Sequence, residues 1–293
     1  MAGQPSRSRM DIIAPVITPF RGGRIDLEAY ADHIKNIVRK GVDVVFVAGT
    51  TGLGPALTAE EKKALLEAAS SAAKRVIFHV ASLRLEEAVE LAKYAERFGV
   101  EAVASVPPYY FPRISERQIA RYFRDLCAAT SAPLYLYNYP AATGKDVGAP
   151  LVKEIGCIRG VKDTNEEIAH TLAYKRLMPE IRVYNGADSL IFASMAVGLD
   201  GVVVSAANYL PEAVSAIREA VAAGDVDKAR RLQFLINEVL DASRPLGYFA
   251  AVYELVKLFQ GYDVGEPRPP IYPLEAAERT KLAAAVEKIK ERI

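Results

Sequence analysis

The chain has 293 residues, 51% of them hydrophobic and 25% charged, which suits a protein with a large core, built either as one big α/β barrel or as two smaller domains. Thirty-seven basic side chains against thirty-six acidic ones leave a formal net charge of +1. That balance excludes a general field for nucleic acid or an anionic membrane and makes any anion site local.

The opening segment, Met1 to Arg9, is polar and lacks the apolar core of a signal peptide, and no uncharged apolar run reaches membrane-spanning length. A cytoplasmic protein is expected, with residues 1–9 as a disordered extension ahead of the first strand-like run. Cys127 and Cys157 match no metal-ligand spacing, and two cysteines in so long a chain point to free buried thiols in a reducing compartment. A disulfide between them is the alternative for a hyperthermophile, and the total of ten Asn and Gln hints at such a source.

From Ile12 onward, apolar runs alternate with segments of helical periodicity, the signature of a parallel sheet with crossover helices. Eight strands are predicted: Ile12 to Thr18, Val44 to Gly49, Val76 to Ala81, Ala102 to Val106, Leu134 to Asn138, Ile158 to Lys162, Arg182 to Asn185 and Gly201 to Ser205. Between them, helices are predicted from Leu27 to Lys40, Ala59 to Ala73, Leu85 to Phe98, Ser115 to Cys127, Glu166 to Leu177 and Pro211 to Ala222. Thr58 with Glu61 and Ser115 with Gln118 read as capping boxes. Eight βα units over residues 10–224, with no Gly-rich dinucleotide fingerprint after the first strand, predict an α/β fold of the (β/α)₈ TIM-barrel type. Residues 225–293 then read as helices only, Val226 to Ala242, Tyr248 to Phe259 and Leu274 to Arg292, expected to pack on the barrel.

In such a barrel the chemistry belongs at the C-terminal ends of the strands. Lys162 ends the sixth run, and alternation places it inward together with Gly160, while Val161 faces the helices. A lysine held there loses water, which favours the neutral, nucleophilic amine; the bland alternative is a strand-end lysine snorkelling to solvent. By the same parity Tyr137 points inward on the neighbouring strand, either as a proton carrier or as a core phenol bonded to a carbonyl. Gly49-Thr50-Thr51-Gly52 reads as a small nest for a carboxylate or as a plain turn. Asp188, after Asn185-Gly186-Ala187, could bind substrate hydroxyls or cap the next helix. The fourth strand runs into the stiff aromatic loop Pro107 to Arg113. No spacing of His33, His79 and His170 resembles a metal site, so neither metal nor cofactor is expected.

The segments Gly49-Thr50-Thr51-Gly52, Tyr137-Asn138-Tyr139-Pro140 and Gly160-Val161-Lys162-Asp163 resemble the signatures of the dihydrodipicolinate synthase and N-acetylneuraminate lyase superfamily of pyruvate-dependent class I aldolases. The resemblance implies Lys162 as the Schiff-base lysine and Tyr137 as the proton-shuttling tyrosine. It also implies Thr50 and Thr51 at the pyruvate carboxylate and in the relay, and Tyr110 lent across a subunit interface. Ala142 stands where dihydrodipicolinate synthases carry the arginine for their aldehyde substrate. Gly52-Leu53-Gly54-Pro55, Tyr109-Tyr110-Phe111-Pro112-Arg113 and Lys162-Asp163-Thr164 instead look like the archaeal 2-keto-3-deoxygluconate aldolases.

That likeness implies cleavage of 2-keto-3-deoxygluconate, and of its 6-phosphate, to pyruvate and glyceraldehyde or its 3-phosphate. Thr164, Gly186 and Asp188 are expected at the distal hydroxyls, and Arg113, Arg244 and Tyr139 at the phosphate, in a homotetramer that binds neither nucleic acid nor membrane. The alternatives are a dihydrodipicolinate synthase-like or other pyruvate aldolase, and a barrel that binds a keto acid without turning it over.

Overall fold

The structure, a computed structural model, describes residues 9–292; the expected N-terminal extension lies, but for Arg9, outside the described residues. Eight parallel strands close into a barrel in chain order: β1 Asp11–Pro15, β2 Val44–Val47, β3 Val76–His79, β4 Ala102–Ser105, β5 Leu134–Asn138, β6 Ile158–Asp163, β7 Arg182–Asn185 and β8 Gly201–Val203. Each is followed by a helix: α1 Leu27–Arg39, α2 Ala59–Ala72, α3 Leu85–Glu96, α4 Glu116–Ala129, α5 Ala149–Ile155, α6 Ile168–Leu177, α7 Ile191–Ala196 and α8 Pro211–Ala223. The chain ends in α9 Val226–Ser243, α10 Tyr248–Gln260 and α11 Ala276–Lys290. None of these helices is long and apolar enough to cross a membrane.

All eight predicted strands are present, and the capping boxes at Thr58 and Ser115 are formed. Several predicted strands run too long at their C-terminal ends: β1 stops at Pro15 and β2 at Val47, because the chain there leaves the ladder to build the barrel mouth. Helices α5 and α7, of seven and six residues, went unpredicted because two turns give too little periodicity to read. A two-residue hairpin, Phe20–Arg21 with Arg24–Ile25, was likewise too short to register. The cysteine expectation is corrected: Cys127, on α4, and Cys157, just before β6, are joined in a disulfide.

Two apolar layers account for the fold. The outer one lies between strands and helices, and Val161 belongs to it. The inner one fills the barrel with Ile13, Val44, Phe46, Ile77, Ala102, Ala104, Tyr135, Tyr137, Tyr184 and Val203. Gly160 faces inward because the Tyr135 ring occupies the space its Cβ would take, with ring atoms 2.8 Å from that position. At the N-terminal end, the Arg75 guanidinium donates to both Asp11 oxygens at 2.6 and 3.0 Å and to both Glu101 oxygens at 2.6 and 2.9 Å. Tyr184 donates to Asp11 Oδ2 at 3.1 Å, so this end is closed by paired charge.

The C-terminal helices reach the other end. Gln233 of α9 donates to the backbone carbonyl of Asp188 at 2.9 Å and accepts from Phe192 N at 2.8 Å. A short turn, Arg244–Leu246, then leads through Gly247 at φ +90° into α10, a left-handed conformation glycine adopts without strain. That turn carries Arg244, Tyr248 and Phe249 over the barrel mouth.

Candidate active site

At the C-terminal mouth of the barrel lies a cleft of about 520 Å³. Its walls include Thr50, Thr51, Tyr137, Tyr139, Lys162, Thr164, Gly186, Asp188 and Arg244, nine of the residues singled out from sequence. They come from the ends of β2, β5, β6 and β7 and from the turn before α10, and only the barrel brings them together.

Lys162 is the floor of this cleft. It pairs in register with Tyr137 on one side and Tyr184 on the other, and its side chain is 5% exposed. Nζ lies 3.8 Å from the centroid of the Tyr137 ring and 4.7 Å from that of Phe46. The ring faces attract the ammonium, but they replace water as its surroundings. Burial therefore dominates and pushes the lysine down to about 7, with the negative charge of Asp188 pulling the other way. Near neutral pH a large fraction of the amine is free to attack a carbonyl.

Tyr137 is 2% exposed, and its hydroxyl stands 3.3 Å from Thr50 Oγ1. Burial pushes this phenol up to about 12, against the hydrogen bonding of Thr50, so it keeps its proton at neutral pH. Thr51 turns the other way, 2.8 Å from Ser205 Oγ. The two threonines thus face different partners, and the hydroxyl beside Tyr137 is that of Thr50 rather than of Thr51, where the relay was expected. Leu53 N donates to the Thr50 carbonyl at 3.0 Å and Gly54 N to the Gly49 carbonyl at 2.9 Å, which winds the loop into a tight turn.

Thr164 Oγ1 is buried without a hydrogen-bond partner among the described residues, and it lies 2.2 Å from where a Cβ on Gly186 would sit. Any larger residue at position 186 would displace it. An unpaired buried hydroxyl costs free energy, so one at the wall of a cleft marks a place for a ligand's polar group. Asp188 does not cap the short turn it begins; its Oδ1 accepts from Ala206 N at 2.6 Å, beyond the end of the neighbouring strand β8. Burial raises its pKa, while the amides of Ala206 and Ser205 and the charges of Arg244 and Lys162 oppose that rise.

Tyr139 stacks on Tyr137 with ring centroids 5.8 Å apart and an interplanar angle of 14°. Arg244 leans over the mouth, its one ion pair among the described residues being with the exposed Glu166 at 3.6 Å. Two predicted site residues do not join them. Arg113 is exposed on the loop after β4 and does not line the cleft, and Tyr110 is 82% exposed in the same loop with φ +71°. Conversely, Ser205, Tyr248 and Phe249 line the cleft without having been singled out. Ser205 closes the eighth predicted run, so position could have marked it, whereas nothing in a helical segment announces that Tyr248 turns toward the barrel.

The profile of the dihydrodipicolinate synthetase family matches residues 8–289. The chain belongs to this family. Among its relatives is the 2-dehydro-3-deoxy-D-gluconate/2-dehydro-3-deoxy-phosphogluconate aldolase of Thermoproteus tenax, 67% identical over 284 residues that cover 97% of this chain and 93% of that protein. The crystal structure of KD(P)GA from T. tenax superposes with a TM-score of 0.96, covering 97% of this chain and 100% of that one at 67% identity. A 2-keto-3-deoxygluconate aldolase of Sulfolobus solfataricus in complex with D-KDPG is 49% identical, with a TM-score of 0.95 over 96% of this chain and 97% of that one.

Proposed function

We propose that the chain is a class I aldolase that cleaves 2-keto-3-deoxygluconate and its 6-phosphate to pyruvate and glyceraldehyde or glyceraldehyde 3-phosphate. The observation that carries this assignment is the buried Lys162 amine 3.8 Å from the Tyr137 ring at the base of an open cleft. Full-length similarity to the aldolases named above supports the choice of substrate.

The reaction follows from the groups present. The neutral Lys162 amine attacks the C2 carbonyl, and loss of water leaves a protonated imine that withdraws electrons from C3. The Tyr137 hydroxyl accepts the C4 hydroxyl proton while handing its own to Thr50, whose hydroxyl releases its own proton to solvent, the C3–C4 bond breaks, and its electrons form the enamine of pyruvate as the aldehyde leaves. The relayed proton returns to C3, and water hydrolyses the imine to release pyruvate and restore the amine. Thr50 and Thr51 are assigned to the keto-acid carboxylate, and Thr164, Gly186 and Asp188 to the sugar hydroxyls. Arg244, with Tyr139, is assigned to the 6-phosphate, since a guanidinium binds such a dianion in a fork. Arg113 joins it only if the loop after β4 moves toward the cleft.

We further propose a homotetramer in which Tyr110 completes the neighbour's relay. The exposure of Tyr110 (82%) and Phe111 (54%), and the positive φ of Tyr110, support this, because an aromatic held in that conformation at a surface marks a contact. A thermophile source accords with the few amides, and a cytoplasmic enzyme that keeps a disulfide accords with such a source. Borohydride reduction with pyruvate, followed by peptide mapping, tests the central claim: the adduct is expected on Lys162, and its absence would favour a barrel that binds keto acids without turnover.

A further inference from the structure

Just outside the barrel wall, one residue beyond each catalytic side chain, lies a closed ring of polar groups for which the mechanism has no use. Asn138 follows Tyr137 on β5, Asp163 follows Lys162 on β6, and the two pair in register. Asn138 Nδ2 donates to Asp163 Oδ1 at 2.9 Å and to Asp146 Oδ1 at 2.8 Å. His170 of α6 donates from Nδ1 to Asp163 Oδ2 at 2.9 Å, and its Nε2 lies 3.3 Å from Asp146 Oδ1, which closes the ring. Thr171 Oγ1 adds a bond to Asp163 Oδ2 at 2.6 Å and accepts from Asn185 of β7 at 3.0 Å. Asn138, Asp163, Thr171 and Asn185 have no exposed surface.

We infer that His170, acting through Asp163, is a positioning residue that fixes the Lys162 amine against Tyr137 and holds the Thr164 loop on the cleft. A fully buried carboxylate is stable only where each oxygen is bonded, so Asp163 has one place to sit. The backbone around it is equally fixed: Thr164 N donates to the Asn138 carbonyl and Gly186 N to the Asp163 carbonyl, both at 2.8 Å. Without His170 the carboxylate keeps Asn138 on Oδ1 and Thr171 on Oδ2 but loses its second donor to Oδ2 and the link to Asp146, and the slack would let the end of β6 shift, moving the amine off its aromatic floor into wetter surroundings.

The groups facing His170 are Asp163 from β6, Asp146 from the loop after β5, Glu167 before α6, and the edge-on ring of Tyr174 at 5.4 Å. Burial works against its imidazolium, but Asp163, Asp146 and Glu167 outweigh it and raise the His170 pKa.

The inference rests on the aldolase reading, and the experiment separates the two. The rate of borohydride trapping of pyruvate is measured against pH, with kcat and KM, for the full-length wild type, His170→Ala and His170→Asn. In His170→Ala the inflection of the trapping profile is expected to move up toward the ordinary lysine range, and kcat to fall about 10 to 100-fold, the scale of a misplaced catalytic group, with KM little changed. His170→Asn, whose amide reaches Asp163 from the position of Nδ1, is expected to restore both. If His170→Ala fails to fold, His170→Gln, which spans toward Asp146 and misses Asp163, replaces it with the same expectations. An unmoved trapping profile in the folded variant, even with a lowered Tm, would overturn the positioning role and leave the aldolase reading intact. A wild type that forms no adduct on Lys162 overturns both.

Discussion

Replacing Lys162 by Met keeps the reach of the side chain and removes its charge, and the pH dependence of the resulting stability measures what the catalytic amine costs the fold. Burial brings the folded lysine from its ordinary 10.5 to about 7. The folded amine therefore releases its proton at a lower pH than the unfolded one, unfolding takes up a proton between about pH 7 and about pH 10.5, and wild-type stability rises with pH across that window. At about 1.4 kcal/mol per pH unit, the buried amine destabilises the fold by on the order of 4 kcal/mol at pH 7. Lys162→Met is expected to be inactive, yet more stable than wild type at pH 7 by a margin of that order, shrinking toward zero near pH 10.5. Guanidinium unfolding of both proteins at a series of pH values and one protein concentration provides the comparison. A gain that stays flat with pH, or a variant less stable at pH 7, would show that the lysine is not desolvated as its surroundings indicate.

Tyr137→Phe is expected to trap pyruvate on Lys162 yet cleave substrate about 10² to 10⁴-fold more slowly, as when a general acid–base group is lost; equal loss of trapping, read by mass spectrometry, would refute the division of roles. Arg244→Ala should lower kcat/KM for the phosphorylated sugar about 10 to 100-fold, since a charge-assisted bond contributes roughly 1.5 to 3 kcal/mol, and leave the unphosphorylated sugar nearly unchanged in steady-state assays. Arg113→Ala, exposed and outside the cleft, is expected to do less. Cys127→Ser opens a loop of sequence separation 30, which chain entropy values at about 3.6 kcal/mol, so Tm is expected to fall by on the order of 10 °C with kcat unchanged. An unaltered Tm in a scanning calorimeter would refute that role.

Much of this site is written in local pattern. The inward direction of Lys162 and Tyr137 follows from strand parity once β5 and β6 are placed, and strand ends next to Gly and Thr mark the mouth of a barrel. What escaped the sequence depends on contacts distant along the chain. Asp188 invites a local capping role, yet its partner is Ala206, eighteen residues on. The cleft-facing side of α10 is set by Gly247 and by the tie of Gln233 to Asp188, neither of which has a periodic signal. The cysteines lie thirty residues apart, and only the packing of α4 beside the start of β6 makes them neighbours. Spacing could fix neither their pairing nor the exposure of Arg113, because both depend on where a loop is carried by the elements around it.

The two ends of the barrel divide the work, and the division explains how a depressed lysine is maintained. At the N-terminal end, Asp11, Glu101 and Arg75 satisfy one another, and the hydroxyl of Tyr184 turns down to join them. Tyr135 and Tyr184 fill the barrel beneath and close off the lower side of Lys162. Two polar atoms near it have no partner among the described residues: Thr164 Oγ1 at the cleft wall, and Nε2 of His79, whose ring lies 5.6 Å from that of Tyr137. Burial, with the charges of Lys62 and Lys162, holds His79 down to about 3, so its ring stays neutral and adds no positive charge beside the amine. Asp188 is the acid, among the described residues, that draws the amine back toward its charged form, and it is restrained by its own bond to Ala206. A closed, paired base can therefore tolerate a desolvated top, and the imbalance at the top is what favours the neutral amine that the proposed reaction asks of Lys162.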